Sequence, residues 1–180
     1  LVVEITPERD VRLLHCSALP LDESTLGDPN GYGRYRLLEL HATGENQTAL
    51  HGQLHIGTAP ASRLKYVAHR DTRSAPGRKV EWELADDRLT VIVHWQFYDG
   101  VPVIQTWTEV RNDGDAPVGL EYLTSFALAS LAKEGMLPME KRVCVHVPHN
   151  TWFGEVQWQS YTPSQLGLFA SVPGMKRYLC

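Results

Sequence analysis

The chain has 180 residues, of which 43% are hydrophobic and 21% are charged, and its formal net charge is −4. These values are typical of one globular domain, and the acidic balance argues against nucleic acid as a partner. No apolar run approaches the ~20 residues that a membrane-spanning helix requires. The three cysteines are odd in number and lack zinc-site spacing, which favours a reducing, cytoplasmic location. We therefore expect no membrane association, no metal ion and no cofactor.

The first part of the chain contains two predicted strands, Leu1–Ile5 and Val11–Cys16, and then a long predicted loop over Leu19–Tyr35. A polar, glycine-containing segment follows. Within it, Asn46, His51 and His55 offer the hydrogen-bonding groups that bind sugars, although solvated loops have the same composition. The two histidines would stand ~13 Å apart on a strand, which is too far for them to share a metal ion.

The next predicted strands are Arg63–His69 and Lys79–Leu84. Glu81 and Glu83 alternate with large apolar residues in the second of these strands, so we predict that both carboxylates lie on its solvent-facing side. Asp86 and Asp87 follow at once and are typical of a turn. Glycoside hydrolysis uses a pair of carboxyl groups, but this pattern favours a structural role for both acidic pairs.

The clearest pattern is a hairpin. Every second residue of Leu89–Phe97 is large and apolar, which predicts a strand with one buried face. Asp99-Gly100 follows and predicts a tight turn into a return strand, Val101–Arg111. We expect Trp95 and Trp107, one on each strand, to face the core.

A third strand is predicted to continue this hairpin. The turn-forming residues Asn112–Asp115 are followed by an alternating run of apolar residues over Val118–Leu128. We therefore predict an antiparallel meander of three successive strands between Arg88 and Leu128.

The last part of the chain contains three further predicted strands, which are Arg142–Val147, Glu155–Tyr161 and Leu166–Val172. Between the first two lies a predicted loop that places two aromatic residues, an amide and an acid close together. Trp152 in this loop is expected to be exposed, and Glu155 ends it. Tryptophan packs on the apolar face of sugar rings and also fills protein cores, so a ligand-binding or interdomain role is one of two interpretations.

Many short strands and little helix are typical of an all-β, antiparallel sandwich of two sheets. We find no internal repeat and no linker, so the sequence predicts a single domain over residues 1–180.

Five runs of residues, ordered and spaced across roughly residues 45 to 160, are shared with a known family: Leu64–Arg70, Asp99–Ile104, Glu109–Pro117, Leu120–Ser125 and Trp152–Glu155. Together they resemble the N-terminal domain of the α-galactosidases of glycoside hydrolase family 36. The resemblance implies a β-supersandwich that precedes a (β/α)₈ barrel bearing both catalytic aspartates. It also implies cleavage of terminal α-linked galactose with retention, and a homo-oligomer.

The resemblance further implies that this domain packs on its own downstream catalytic domain and helps to wall the sugar pocket or the oligomer interface. Residues 1–180 contain no barrel sequence, so no catalytic residue is carried over. Val156 stands where the family often has a basic residue. The candidate substrate-binding or interdomain residues are Asn46, His51, His55, Trp152 and Glu155. The alternative hypothesis is a stand-alone carbohydrate-binding or interaction module.

Overall fold

The computed structural model describes residues 1–16, 20, 36–45, 57–127 and 143–166. These residues form ten strands and one five-residue helix, and every strand pair among them is antiparallel, which confirms the predicted all-β class. No helix within the described ranges is long and apolar enough to cross a membrane. The elements are β1 (Val2–Ile5), β2 (Val11–His15), β3 (Leu40–Ala42), α1 (Ala59–Arg63), β4 (Lys65–Ser74), β5 (Gly77–Ala85), β6 (Leu89–Tyr98), β7 (Val101–Asn112), β8 (Leu120–Leu123), β9 (Val145–Thr151) and β10 (Gly154–Tyr161).

The largest sheet is an antiparallel meander of β4, β5, β6 and β7 in that order. Glycine with a positive φ stands at two of its three turns. Gly77 has φ of 137°, and a Cβ atom added there would lie 2.2 Å from the carbonyl oxygen of Phe97. The predicted hairpin through Asp99-Gly100 is confirmed, with Gly100 at φ of 76°.

The partner that we predicted for the third strand of the meander is wrong. The run Val118–Leu128 contributes β8, but β8 pairs with β3 and not with β7. The connection from β7 is too long for a tight turn, and the side chain of Asn112 shapes it by bonding the nitrogen of Gly114 at 3.1 Å and the oxygen of Ala116 at 2.8 Å. Alternation in sequence indicates a buried face, but it does not identify the strand that pairs.

Two of the weaker predicted strands at the start of the chain, Leu1–Ile5 and Val11–Cys16, are confirmed as β1 and β2, which pair with each other. The strands predicted near positions 63, 79, 142 and 155 correspond to β4, β5, β9 and β10. The predicted loop Leu19–Tyr35, apart from residue 20, and most of the predicted strand Leu166–Val172 lie outside the described residues.

Among the described residues, one hydrophobic core joins the meander to two of the three two-stranded sheets, β1–β2 and β3–β8. The meander contributes the alternate residues of β5 and β6, among which Val91, Val93 and Trp95 are at most 2% exposed. Leu13 of β2 and Leu40 of β3 are both fully buried in the same cluster. The arrangement is sandwich-like, but the layer opposite the meander is divided among two-stranded sheets within the described part of the chain.

The two tryptophans of the β6–β7 hairpin lie on opposite faces of the sheet. Trp95 is 2% exposed and faces the core, as predicted. Trp107 pairs with His94, the neighbour of Trp95, so the prediction that it faces the core is wrong. Directly paired residues share a face of the sheet, and the register shift beside Phe97 amounts to two residues, so it leaves the faces of β7 unchanged.

A buried carboxylate ties β3 to the start of α1. Glu39 is 1% exposed, and its oxygens accept hydrogen bonds from the Gly57 nitrogen at 3.0 Å and the Thr58 nitrogen at 3.0 Å. The Thr58 hydroxyl donates a third hydrogen bond at 2.7 Å. The backbone nitrogen of Glu39 donates to the hydroxyl of Thr124, which lies 85 residues later in the chain. These three short hydrogen bonds compensate the free-energy cost of burying the Glu39 carboxylate.

Candidate functional site

Two of the five candidate residues, Trp152 and Glu155, lie in the hairpin formed by β9 and β10. The other three, Asn46, His51 and His55, lie outside the described residues, and their role stays a prediction. The β9–β10 hairpin is therefore the part of the predicted site that the structure describes.

The tip of this hairpin is aromatic and exposed. Trp152 is 89% exposed and Phe153 is 92% exposed, and their rings meet edge to face with centroids 5.8 Å apart. The predicted exposure of Trp152 is thus confirmed. Phe153 has φ of 62°, a left-handed conformation that a bulky residue adopts only at a cost. Strain of this kind concentrates at functional sites, which makes the tip a candidate.

A bulge next to the tip positions Glu155. The pairing shifts between Gly154 and Gln157, so Glu155 and Val156 together lie opposite Asn150. Val156 has φ of 54°, and its nitrogen donates a 2.8 Å hydrogen bond to the side-chain oxygen of Asn150. This hydrogen bond replaces the interstrand backbone hydrogen bond that the bulge removes. Glu155 is exposed beside the aromatic tip as a result.

The two faces of the hairpin differ in exposure. On the half-buried face, the Tyr161 hydroxyl lies 2.8 Å from Nε2 of His149. On the exposed face, Trp158 is 65% exposed opposite Pro148, and the adjacent pair is His146 and Ser160 at 2.6 Å. Sequence reasoning missed Trp158 because a strand pattern does not reveal which face has no covering element.

The hairpin itself is nearly uncharged. Glu155 is the only formally charged residue between positions 143 and 166, whereas 21% of the whole chain is charged. Exposed tryptophan and phenylalanine side chains in such a segment form an amphipathic surface that suits a neutral ligand with both apolar and hydroxyl groups.

A second polar cluster lies across the outer face of the meander. Arg70, Glu81, His94 and Trp107 are successive cross-strand neighbours on β4 to β7. Glu81 lies on the face opposite the core, as the alternation predicts, but it is only 7% exposed, so the prediction that solvent surrounds it is wrong. Long neighbouring side chains cover it: Arg70 donates a short hydrogen bond, and the Lys79 ammonium lies 2.8 Å away. The hydrogen bond from Arg70, with a further contribution from Lys79, lowers the pKa of Glu81 to about 2.

His94 occupies the centre of this cluster. Its ring stacks on Trp107 with centroids 4.5 Å apart, and its nitrogens lie 3.1 Å from Glu81 and 3.0 Å from Glu109. Neither contact has hydrogen-bond geometry. Burial lowers the pKa of His94, and the positive charge of Lys79 acts in the same direction, whereas the two carboxylates oppose the shift. The Trp107 ring, Lys79 and the charged side chains of this cluster thus contact one another. We therefore assign the cluster a structural role in the sheet.

Other carboxylates in the described ranges also have structural roles. Asp86 accepts hydrogen bonds from the nitrogens of Arg88 at 2.8 Å and Leu89 at 2.7 Å, which confirms the predicted turn. No group of three or more histidine, cysteine or acidic side chains in the described part of the chain is arranged to hold a metal ion.

Among the described residues, the β9–β10 hairpin is therefore the surface that combines exposed aromatic rings, local backbone strain and little charge. Comparison of the chain with protein-family models, with curated proteins and with solved structures finds no match in any of the three.

Proposed function

We propose that this chain is the non-catalytic N-terminal domain of an α-galactosidase-like glycoside hydrolase and that its β9–β10 hairpin contacts the sugar pocket of that enzyme. The observation that supports the proposal most directly is the exposure of Trp152 and Phe153 at a strained hairpin tip. The resemblance of Trp152–Glu155 and four other runs to family 36 supplies the enzyme class.

The chemistry of the tip fits a sugar. A pyranose ring has an apolar C–H face that packs on an indole ring, while its hydroxyl groups require hydrogen-bond partners. Trp152 offers the ring, and the exposed carboxylate of Glu155 offers acceptors nearby. The lack of other charges in the hairpin suits a neutral ligand.

The arrangement of the acids supports a non-catalytic role. A retaining glycosidase places two carboxyl groups ~5–5.5 Å apart across the scissile bond. Glu155 is the one formal acid of the hairpin, and Glu81 and Asp86 are engaged in structural bonds. In this proposal a downstream barrel supplies both catalytic carboxylates, and the hairpin orients the substrate.

Activity measurements test the proposal. The purified chain should leave a chromogenic α-galactoside intact, whereas the product of the full reading frame should cleave it. Trp152→Ala in that longer protein should raise KM, because it removes the stacking surface, while Trp158→Ala serves as a matched control on the exposed hairpin face. Turnover by the 180-residue chain that Glu155→Gln abolishes would contradict the proposal.

A second candidate function is a stand-alone carbohydrate-binding module, and the exposed Trp158 next to the His146–Ser160 pair favours it. Titration of the chain with galactose, followed by tryptophan fluorescence, separates the two hypotheses. Binding that depends on Trp158 and not on Trp152 supports the module. Light scattering tests the self-association that the resemblance implies.

A further inference from the structure

A cavity of about 270 Å³ lies away from the hairpin, where β2, the segment before β3, α1 and the start of β4 meet. Leu37, Leu38 and Leu64 are buried and give it an apolar wall. The remaining wall is strongly charged, and it includes Asp10, Arg12, Arg36 and Lys65. Three cations and one acid line this space, and the carboxylates of Glu4 and Glu39 lie 3.5 Å from Arg12 and 3.9 Å from Arg36.

One of these cations is already neutralised. The Lys65 ammonium lies 2.5 Å from the Asp10 carboxylate, which is a close ion pair. Arg12 has no comparable partner: it lies 3.9 Å from Asp10 and 3.5 Å from Glu4. Both distances exceed the ~2.7–2.9 Å of a charge-assisted hydrogen bond. The Nε atom of Arg12 is buried and has no hydrogen-bond partner among the described residues.

Arg36 is also incompletely paired. Its Nη1 atom donates a 3.3 Å hydrogen bond to the carbonyl oxygen of Thr58 and lies 3.9 Å from Glu39. Glu39 already accepts three shorter hydrogen bonds from Gly57 and Thr58, so it is a poor partner for the guanidinium. The side chains of Arg12 and Arg36 are 20% and 22% exposed, which removes both of them from most of the solvent.

We propose that this cavity binds a small aliphatic carboxylate. A guanidinium presents a planar fork of donors that matches a carboxylate, and Arg12 and Arg36, two weakly paired guanidinium groups, line the cavity. The leucine side chains accept the aliphatic part of the ligand. The volume lies just below the ~300–1,000 Å³ of drug-sized pockets, so the ligand has few heavy atoms.

Calorimetric titration of the chain with isovalerate, and with isovaleramide as the uncharged equivalent, tests the proposal. Isovalerate should bind saturably with one site, and isovaleramide should bind at least ~10-fold more weakly because it lacks the charge that strengthens the hydrogen bonds. Equal affinity for the two compounds, or the absence of saturable binding, overturns the proposal.

Two variants and one control locate the site. Arg12→Gln and Arg36→Gln should each weaken isovalerate binding ~10-fold through the loss of charge-assisted bonds. Arg73→Gln is the matched control, because Arg73 is exposed on β4 and pairs with Asp99. A control that weakens binding as much as the other variants shows a nonspecific charge effect and overturns the site. If either cavity variant fails to fold, the carboxylate and amide comparison on the unmodified chain still decides.

Discussion

Replacement of Trp95 tests whether its buried indole N–H group lowers the free energy of unfolding. Trp95 is 2% exposed, and its ring meets Trp82 edge to face with centroids 5.8 Å apart. The Nε1 atoms of both rings are buried and have no hydrogen-bond partner among the described residues. Trp95→Ala and Trp95→Phe therefore separate the contribution of the ring from the cost of its N–H group.

The two variants should differ by several kcal/mol. Removal of a large buried aromatic side chain costs ~3–5 kcal/mol, which is the expectation for Trp95→Ala. Phenylalanine leaves ~40 Å³ empty, which at ~24 cal/mol per Å³ costs ~1 kcal/mol. Against this, the variant removes an unpaired buried donor, whose desolvation costs ~1–3 kcal/mol. The free energy of unfolding of Trp95→Phe should thus lie within ~2 kcal/mol of the original value, on either side.

Urea denaturation followed by far-ultraviolet circular dichroism measures both values without relying on tryptophan fluorescence. Equal m-values for the three proteins are required for the comparison. If Trp95→Phe destabilises the chain as much as Trp95→Ala, the buried N–H group has a partner and the reasoning is refuted.

Two further predictions concern the meander. Since the pKa of Glu81 is lowered from 4.5 to about 2 in the folded chain, its stabilising effect is fully present above pH 4.5 and is lost as the pH falls towards 2. Glu81→Gln should flatten the pH dependence of the melting temperature in that window, and an unchanged slope would show that other acids cause it. Gly77→Ala should destabilise the chain by more than ~1 kcal/mol, because its Cβ would meet the Phe97 carbonyl and its φ is 137°; an unchanged urea midpoint would contradict the described turn.

The sequence was sufficient where the determinants are local. The β6–β7 hairpin follows from strict alternation and Asp99-Gly100, and the exposed position of Trp152 follows from a short turn between two strands. The same turn also determines the face of Trp107: Tyr98 pairs with Val101 across it, so Trp95 and Trp107 must lie on opposite faces, and the prediction did not apply this rule. The pairing of β8 was not predictable, because its partner lies far away in sequence.

The candidate sites show the same division. Trp152 and Glu155 were found because they are neighbours in sequence. The cover over Glu81 comes from Arg70 and Lys79 on two strands, so the alternation along β5 indicated the outer face but not this cover. The cavity wall combines β2, the segment before β3, α1 and β4, and no single stretch of sequence shows that these segments meet.

The long-range bond between Glu39 and Thr124 bears on the order of events during synthesis. The β4–β7 meander spans residues 65–112 and pairs only successive strands, so its contacts become available as the chain emerges. The strand β3 has been made by then, but its partner strand β8 and the Thr124 hydroxyl come 85 residues after Glu39. Until β8 has emerged from the ribosome, β3 lacks its partner strand. We therefore expect β3 to pair late, after the meander has formed.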